Sequence, residues 1–132
     1  SWTWRGSPLP FVPYDDTWRP GPEPVSRTPL YLRSLEAAAP EAAIPVERAA
    51  AGLLLVGGGD DALWPSCRFV EDLACRRREA GRPVSVVTHP DAGHRVLFPG
   101  EEPSPESRFY GGTLEADQAL GAAAWPRVLE VL

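Results

Sequence analysis

The chain has 132 residues, a net charge of −5 and a hydrophobic fraction of 43%, which suit one small globular domain and leave no room for a second. The negative charge argues against a nucleic-acid partner. No apolar run approaches the roughly 18 residues of a membrane span, and the N-terminus lacks the basic-then-apolar pattern of a signal peptide.

Residue usage bears on origin and compartment. The sequence has no lysine, so all 13 basic residues are arginine, and the GC-rich codons of Arg, Ala, Gly and Pro favour a high-GC bacterial genome. Cys67 and Cys75 lie in one predicted helix, about 12 Å apart along its axis, which is too far for a disulfide. We interpret both cysteines as reduced, which favours a cytoplasmic protein. Because the chain starts at Ser1 and has no methionine, we expect a fragment or a processed chain.

Residues 1–45 are predicted to form a covering segment with one helix. The segment holds 9 of the 16 prolines, so residues 1–28 are predicted to be irregular. Their many aromatic side chains favour packing over another part of the protein rather than free exposure. A helix is predicted from Thr28 as N-cap, with Pro29 at the first helical position, to about Ala39.

Residues 46–132 are predicted to fold as strand, helix, strand and helix. The glycine-bounded apolar run at 53–56 is typical of a strand buried on both faces of a parallel sheet, and 84–88 has the same character. Helices are predicted at 65–80 and 113–132, so the first three elements form a βαβ unit. Because two parallel strands do not complete a sheet, we expect this single domain to be part of a larger α/β sheet. Four side chains of the last helix are predicted to line its buried stripe: Ala119, Ala123, Val128 and Leu132.

A carboxylate and a histidine follow the ends of the two predicted strands. Asp61 lies in the turn Gly-Gly-Gly-Asp-Asp after the first strand, and His94 lies in the polar loop after the second, 33 residues later. Catalytic groups of open α/β sheets gather at the C-terminal ends of the strands, so an acid and a base placed there can converge. The order Asp before His also matches the chain order of the triad in α/β-hydrolases.

Several motifs resemble a single family. The turn GGDDALWPS, the loop HPDAGH and the closing GGT with its Ala-Trp-Pro helix are similar to the C-terminal domain of the acyl-CoA thioesterase and bile-acid-CoA:amino-acid N-acyltransferase family. The segments SWTWRGSPLPFVP and AAIPVER extend the resemblance over nearly the whole chain. It implies the C-terminal portion of an α/β-hydrolase fold, with Asp61 as triad acid, His94 as base and Asp60 as the alternative acid. It implies no cofactor and no metal.

The nucleophile of that family has no counterpart in this sequence. An elbow of the form G-x-[SC]-x-G is expected upstream of the acid and the base, and no such pentapeptide occurs in the chain. We therefore expect the Ser or Cys, the oxyanion hole and most of the sheet to lie in a missing N-terminal half, and the chain alone to be inactive. By the resemblance, the substrate is an acyl-CoA-type thioester whose acyl group passes to water or to an amine.

Three aromatic residues are candidates for contact with the substrate: Trp4, Phe11 and Trp64. The alternative for Trp4 and Phe11 is that they only cover the sheet, and the alternative for Trp64 is packing in a core or interface. His89 is interpreted as structural, and the arginines at 76–78 as a solvated helix end rather than a site for the phosphates of coenzyme A. Glu47 has no role that the sequence predicts.

Two other functions are compatible with the sequence. The chain could be a non-catalytic remnant, or a partner subunit retained for packing against a separate N-terminal chain. It could also belong to a different α/β-hydrolase, an esterase or peptidase with the same acid and base loops. Restored thioester cleavage after mixing with the upstream half would favour the thioesterase, whereas cleavage of simple esters alone would favour the esterase or peptidase.

Overall fold

The computed structural model describes residues 2–104 and 110–130. A hairpin of two short strands comes first, followed by a helix, two 3-10 turns, and then strand, helix, strand and helix. The last four elements follow the order predicted for residues 46–132. The bounds are β1 Thr3–Trp4, β2 Ser7–Pro8, α1 Thr28–Glu36, the 3-10 turns Pro40–Ala42 and Val46–Arg48, β3 Leu53–Gly58, α2 Ser66–Glu79, β4 Val84–His89 and α3 Leu114–Leu129.

Strands β3 and β4 form a parallel pair, in register from Leu53 opposite Val84 to Gly58 opposite His89. Helices α2 and α3 each contact both strands and, over the described residues, do not contact one another, so they cover opposite faces of the pair. The result is an α/β arrangement of parallel strands between helices. Among the described residues, the second edge of β3 has no strand partner.

The two strands are less buried than the sequence predicted. The apolar residues at 53–56 of β3 are half-buried, and Val86 of β4 is 37% exposed. A strand is buried on both faces when further strands and helices surround it, and the described residues supply only one neighbour for each strand. Expected burial on both faces is therefore not what the structure shows.

The core lies mainly between β4, β3 and α3. Ala116 and Leu120 of α3 pack against Ala92, with the half-buried Val56 and Val87 beside them. The helices on either face are too short and too polar to cross a membrane, and no helix in the described ranges meets that requirement. This small core fixes α3 against the loop that follows β4.

The prediction of which face of α3 is buried is wrong. Ala119 and Ala123 are exposed and Val128 is half-buried, whereas Leu132 lies outside the described residues. The helix has alanines on several faces, so its apolar pattern carries little information about phase. The buried positions are instead Ala116, Asp117, Leu120, Gly121 and Ala124.

The N-terminal segment differs from the prediction at two places. Residues predicted to be irregular contain the β1–β2 hairpin, whose turn places Arg5 and Gly6 at positive φ. Strands of two residues are too short to show an alternating pattern. Helix α1 begins at Thr28 rather than using it as the cap, since the Thr28 hydroxyl donates to the carbonyl of Asp61 at 2.8 Å. It ends at Glu36, three residues before the predicted end at Ala39.

Arg77 is completely buried, contrary to the predicted solvated helix end. Its guanidinium donates to three carbonyls that lead into β3 and to one that precedes β4, at 2.7 to 2.9 Å. A single side chain thereby ties together the beginnings of both strands. The four acceptors are the carbonyl oxygens of Val46, Ala49, Ala51 and Pro83.

Arg76 is also committed to a protein contact. It is half-buried and forms an ion pair with Glu47 at 2.5 Å, which gives Glu47 a structural role that the sequence did not reveal. A backbone hydrogen bond within Glu47 is the largest cause that lowers the pKa of its carboxyl. The charge of the Arg76 guanidinium lowers that pKa further. Of the three arginines, only Arg78 is exposed as expected.

Candidate active site

The side chains of Asp61 and His94 meet beside the C-terminal ends of β3 and β4. His94 Nδ1 lies 3.0 Å from Asp61 Oδ2. The Asp61 side chain is 2% exposed and that of His94 is 22% exposed, so the pair is shielded at the acid and open at the base. An imidazole that donates its Nδ1 proton to a carboxylate keeps Nε2 as a proton acceptor.

The carboxylate of Asp61 is held by four donors. Oδ1 accepts the backbone N–H groups of Leu63 at 2.8 Å and Trp64 at 2.9 Å. Oδ2 accepts the hydroxyl of Ser66, the first residue of α2, in addition to facing His94. With both oxygens engaged, the carboxylate has one orientation, and that orientation aims Oδ2 at the imidazole. The motif WPS was visible in the sequence, whereas the contribution of its serine was not.

Asp60, the alternative acid, does a different task. Its Oδ2 accepts the backbone N–H of Gly112 at 3.0 Å, and its own N–H donates to the carbonyl of Ala92 at 2.9 Å. Asp60 thereby joins the turn after β3 to the segment before α3. The geometry pairs His94 with Asp61 and not with Asp60.

The loops that carry the acid and the base are joined through main-chain atoms. The carbonyl of Tyr110 accepts the N–H groups of both Ala62, at 3.1 Å, and His94, at 3.0 Å. The same loops also touch directly, since a Cβ at Gly58 would lie 2.2 Å from the Gly93 carbonyl oxygen. Only glycine permits so close an approach, and the approach fixes the separation of the two loops.

Aromatic rings flank the imidazole. The ring of Trp64 meets that of His94 edge-on at 4.7 Å between centroids, and the ring of Tyr110 lies 5.6 Å away. Of the three aromatic residues predicted to contact substrate, the structure brings only Trp64 to the acid and base. Trp4 and Phe11 are 66% and 56% exposed and line neither of the two cavities that border Asp61. For all three residues, contact with substrate stays a prediction.

His89 lies apart from the pair. It is the last residue of β4, and its Nδ1 accepts the backbone N–H of Asp91 at 3.2 Å. This contact stabilises the turn that leads toward His94 and fits the structural role expected from the sequence. Over residues 2–104 and 110–130, no group of three His, Cys, Asp or Glu side chains is arranged to hold a metal ion.

Two cavities border Asp61. The larger, of about 1250 Å³, lies among the N-terminal segment, α1, the acid turn and the glycines at 111–112. The smaller, of about 480 Å³, runs along the edge of β3 and is bordered by Trp64, Ser66 and His94. Of the two, only the smaller reaches His94, so a ligand in these cavities would approach the imidazole along the β3 edge.

In the part of the chain that the structure describes, His94 hydrogen-bonds to no side chain other than Asp61. The neighbouring Ser66 hydroxyl donates to Asp61. Burial raises the pKa of the Cys67 thiol, with the carboxylates of Glu71 and Asp61 adding to the effect, and a hydrogen bond to Glu79 raises that of Cys75. Nucleophilic cysteines need the opposite shift, so neither thiol fits that role.

One buried carboxylate near the pair was missed in the sequence. Asp117 of α3 is 4% exposed, and its Oδ1 accepts the backbone N–H of Gly93 at 2.7 Å. Burial raises its pKa, and the hydrogen bond from Gly93 opposes that rise. An aspartate in the first turn of a helix resembles an ordinary dipole partner. A correct phase for α3 would have placed it on the buried face beside Leu120.

Residues 24–132 match the protein-family model described as BAAT / Acyl-CoA thioester hydrolase C terminal. The matched range contains Asp61, His94 and Asp117 and leaves out β1 and β2. No curated protein gives a significant match to the chain.

Proposed function

Because the chain belongs to the BAAT / acyl-CoA thioester hydrolase C-terminal family, we propose that Asp61 and His94 are the acid and base of an acyl-transfer site for acyl-CoA-type thioesters. The observation that carries the proposal is the 3.0 Å contact between His94 Nδ1 and Asp61 Oδ2, with the acid buried and the base open. The nucleophile, a serine or a cysteine, comes from the N-terminal half of the hydrolase domain, outside these 132 residues.

Each residue of the pair has a defined task in this reaction. His94 Nε2 takes the proton of the nucleophile as the latter attacks the thioester carbonyl, and the imidazolium returns that proton to the departing thiolate of coenzyme A. His94 then deprotonates water or an amine, which attacks the acyl-enzyme and releases the acyl group. Asp61 holds the Nδ1–H tautomer throughout and stabilises the imidazolium.

The free edge of β3 is where we place the missing half. Among the described residues this edge has no strand partner, so a further parallel strand can pair with it, and the cavity along it leads to His94. The C-terminal ends of neighbouring parallel strands meet at one edge of a sheet. A nucleophile at the end of such a strand, or of the next one, would therefore face the base.

The test begins with the coding DNA upstream of the Ser1 codon, translated in frame. We expect an elbow of the form G-x-[SC]-x-G, and the joined chain is then expressed and assayed with an acyl-CoA. Because a thiol-detecting reagent would not distinguish the exposed Cys75 from released coenzyme A, the assay follows the loss of thioester ultraviolet absorbance. D61N should lower kcat by about 10⁴ and H94A by up to about 10⁶, whereas D60N and H89N, which keep an acceptor for the N–H groups of Gly112 and Asp91, should stay near wild type.

The outcomes separate the competing functions. A stop codon or unrelated sequence upstream, or a complex with the missing half that shows no turnover, would leave a non-catalytic partner subunit. Cleavage of simple esters without thioesters would identify a different α/β-hydrolase. Mass spectrometry of the products distinguishes the two acceptors, since hydrolysis yields the free acid and transfer to an amine yields an amide.

A further inference from the structure

Asp117 contacts the residue that immediately precedes the base. Its carboxylate is buried in the first turns of α3, and Oδ1 accepts the Gly93 N–H at 2.7 Å. A buried carboxylate is unfavourable unless hydrogen bonds compensate for its lost hydration. The helix dipole favours an aspartate in this turn, but an exposed carboxylate would serve it equally well, so the dipole gives no reason for the burial of Asp117.

The segment from Gly93 to Leu97 lies directly on α3. The N–H of Leu97 donates to the Asp117 carbonyl at 3.2 Å, and a Cβ at Gly121 would lie 1.7 Å from the Leu97 carbonyl oxygen. On the other side, the His94 N–H donates to the Tyr110 carbonyl at 3.0 Å. The two successive peptides Ala92–Gly93 and Gly93–His94 are therefore each held by a hydrogen bond, and the Asp117 side chain accepts the first of the two.

We propose that Asp117 is a positioning residue for His94, acting through the Gly93 N–H to keep the imidazole Nδ1 in reach of Asp61. A displacement of about 1 Å at the base is enough to weaken catalysis strongly. The inference deepens the proposed function and rests on it for its catalytic consequence, while its structural consequence is measurable in the chain as it stands.

The chain offers a direct readout because it has only two histidines. In ¹⁵N-labelled protein, NMR reports the imidazole tautomer of His94 and the solvent exchange of its Nδ1–H, and His89 serves as the internal control. The variants are D117A, which removes the acceptor, and D117N, which keeps a carbonyl oxygen for the Gly93 N–H. The exposed neighbour on the same helix turn supplies the matched control Q118A.

We expect D117A to accelerate exchange of the His94 Nδ1–H by at least about tenfold, the effect of losing one buried hydrogen bond. D117N and Q118A should stay within about threefold of wild type, and His89 should not change in any variant. Should D117A fail to fold, D117E keeps the charge but displaces the oxygens by one methylene group, and it should also accelerate exchange.

Two results would overturn the inference: unchanged His94 exchange in D117A, or equal acceleration of His94 and His89. Failure of the proposed function has a different signature, because the joined enzyme would then cleave no thioester while His94 exchange in D117A would still report whether Asp117 positions the ring. In the joined enzyme, D117A should lower kcat with little change in KM, and D117N should recover most of the loss. A loss of stability without that change in kcat would reduce Asp117 to a packing residue.

Discussion

The carboxylates of Asp60 and Asp61 leave the same turn in different directions. Asp61 Oδ2 faces His94 Nδ1 at 3.0 Å, whereas Asp60 Oδ2 accepts the N–H of Gly112 at 3.0 Å. The two neighbours thus combine one carboxylate that orients an imidazole with one that fastens a loop. Substitutions at the two positions should therefore have different consequences, and a variant of Asp60 serves as the matched control for a variant of Asp61.

The D61N substitution should reverse the tautomer of His94. If the asparagine turns its amide N–H₂ toward the ring, Nδ1 must accept rather than donate, and the Nε2–H form becomes favoured. D60N keeps an oxygen for the Gly112 N–H and should leave the ring unchanged. The ¹⁵N chemical shifts of the imidazole measure both effects. Equal shifts in D61N and D60N would contradict the assignment of the acid.

Loss of the Ser66 hydroxyl should destabilise the acid turn. S66A removes a hydrogen bond to an ionised group, an interaction of about 1.5–3 kcal/mol. S66T keeps the hydroxyl and should lose less than half of that amount. Urea denaturation of both variants gives the free energies of unfolding. If S66A is as stable as wild type, the hydroxyl does not hold Asp61.

Replacement of Arg77 should be among the most damaging changes in the chain. R77M removes the donors for four carbonyls at once, and since one hydrogen bond to a charged group contributes about 1.5–3 kcal/mol, we expect a loss of at least about 3 kcal/mol. R78M changes an exposed neighbour on the same helix and should alter stability by less than about 0.5 kcal/mol. Urea denaturation of the two variants side by side measures the difference. Similar values for both would mean that the Arg77 contacts contribute little.

Two glycine substitutions test the contact between the loops. In G58A the new Cβ would lie 2.2 Å from the Gly93 carbonyl oxygen, so the loops must separate. A Cβ at Gly52 meets nothing within 4 Å, so G52A should be neutral or stabilising by up to about 1 kcal/mol. Thermal unfolding should show a clear fall in Tm for G58A only. A G58A protein with wild-type Tm would contradict the direct backbone contact.

The stability contributed by Asp117 should depend on pH. Burial raises its pKa above the ordinary 3.8, so the native state binds this proton more tightly than the unfolded chain does. The contribution is therefore fully present below pH 3.8 and is lost as pH rises through the native pKa. Relative to D117N, which does not titrate, wild type should lose free energy of unfolding over that range. Urea denaturation at a series of pH values checks this, with E115Q as the exposed control, and a pH-independent difference would refute it.

The sequence was sufficient to predict the strands that precede Asp61 and His94. Glycine-bounded apolar runs marked β3 and β4, and the rule that polar groups gather at strand ends singled out Asp61 and His94. The prediction of the two strands succeeds because backbone periodicity and turn residues act locally along the chain, whereas the catalytic roles of Asp61 and His94 stay predictions. The family resemblance then distinguished Asp61 from Asp60, and the geometry of the carboxylates agrees with that choice.

The contacts that hold the site could not be predicted from the sequence because they join segments that are far apart along the chain. Nothing local shows that Arg77 reaches the carbonyl oxygens before both strands, or that Asp117 reaches Gly93. Arginine near a helix end and aspartate near a helix start are both common for electrostatic reasons alone. The buried face of α3 could not be predicted either, because small apolar residues lie on several faces of this helix.

The buried Arg77 lies at the opposite end of the parallel strands from Asp61 and His94. It fastens the segments that enter β3 and β4, while the acid and base follow the residues where those strands finish. Six residues of strand separate the two ends by about 20 Å. The anchoring side chain and the proposed acid and base therefore lie at opposite ends of one short sheet. The loops around the acid and base can be exchanged in engineering experiments without touching the side chain that secures the strands.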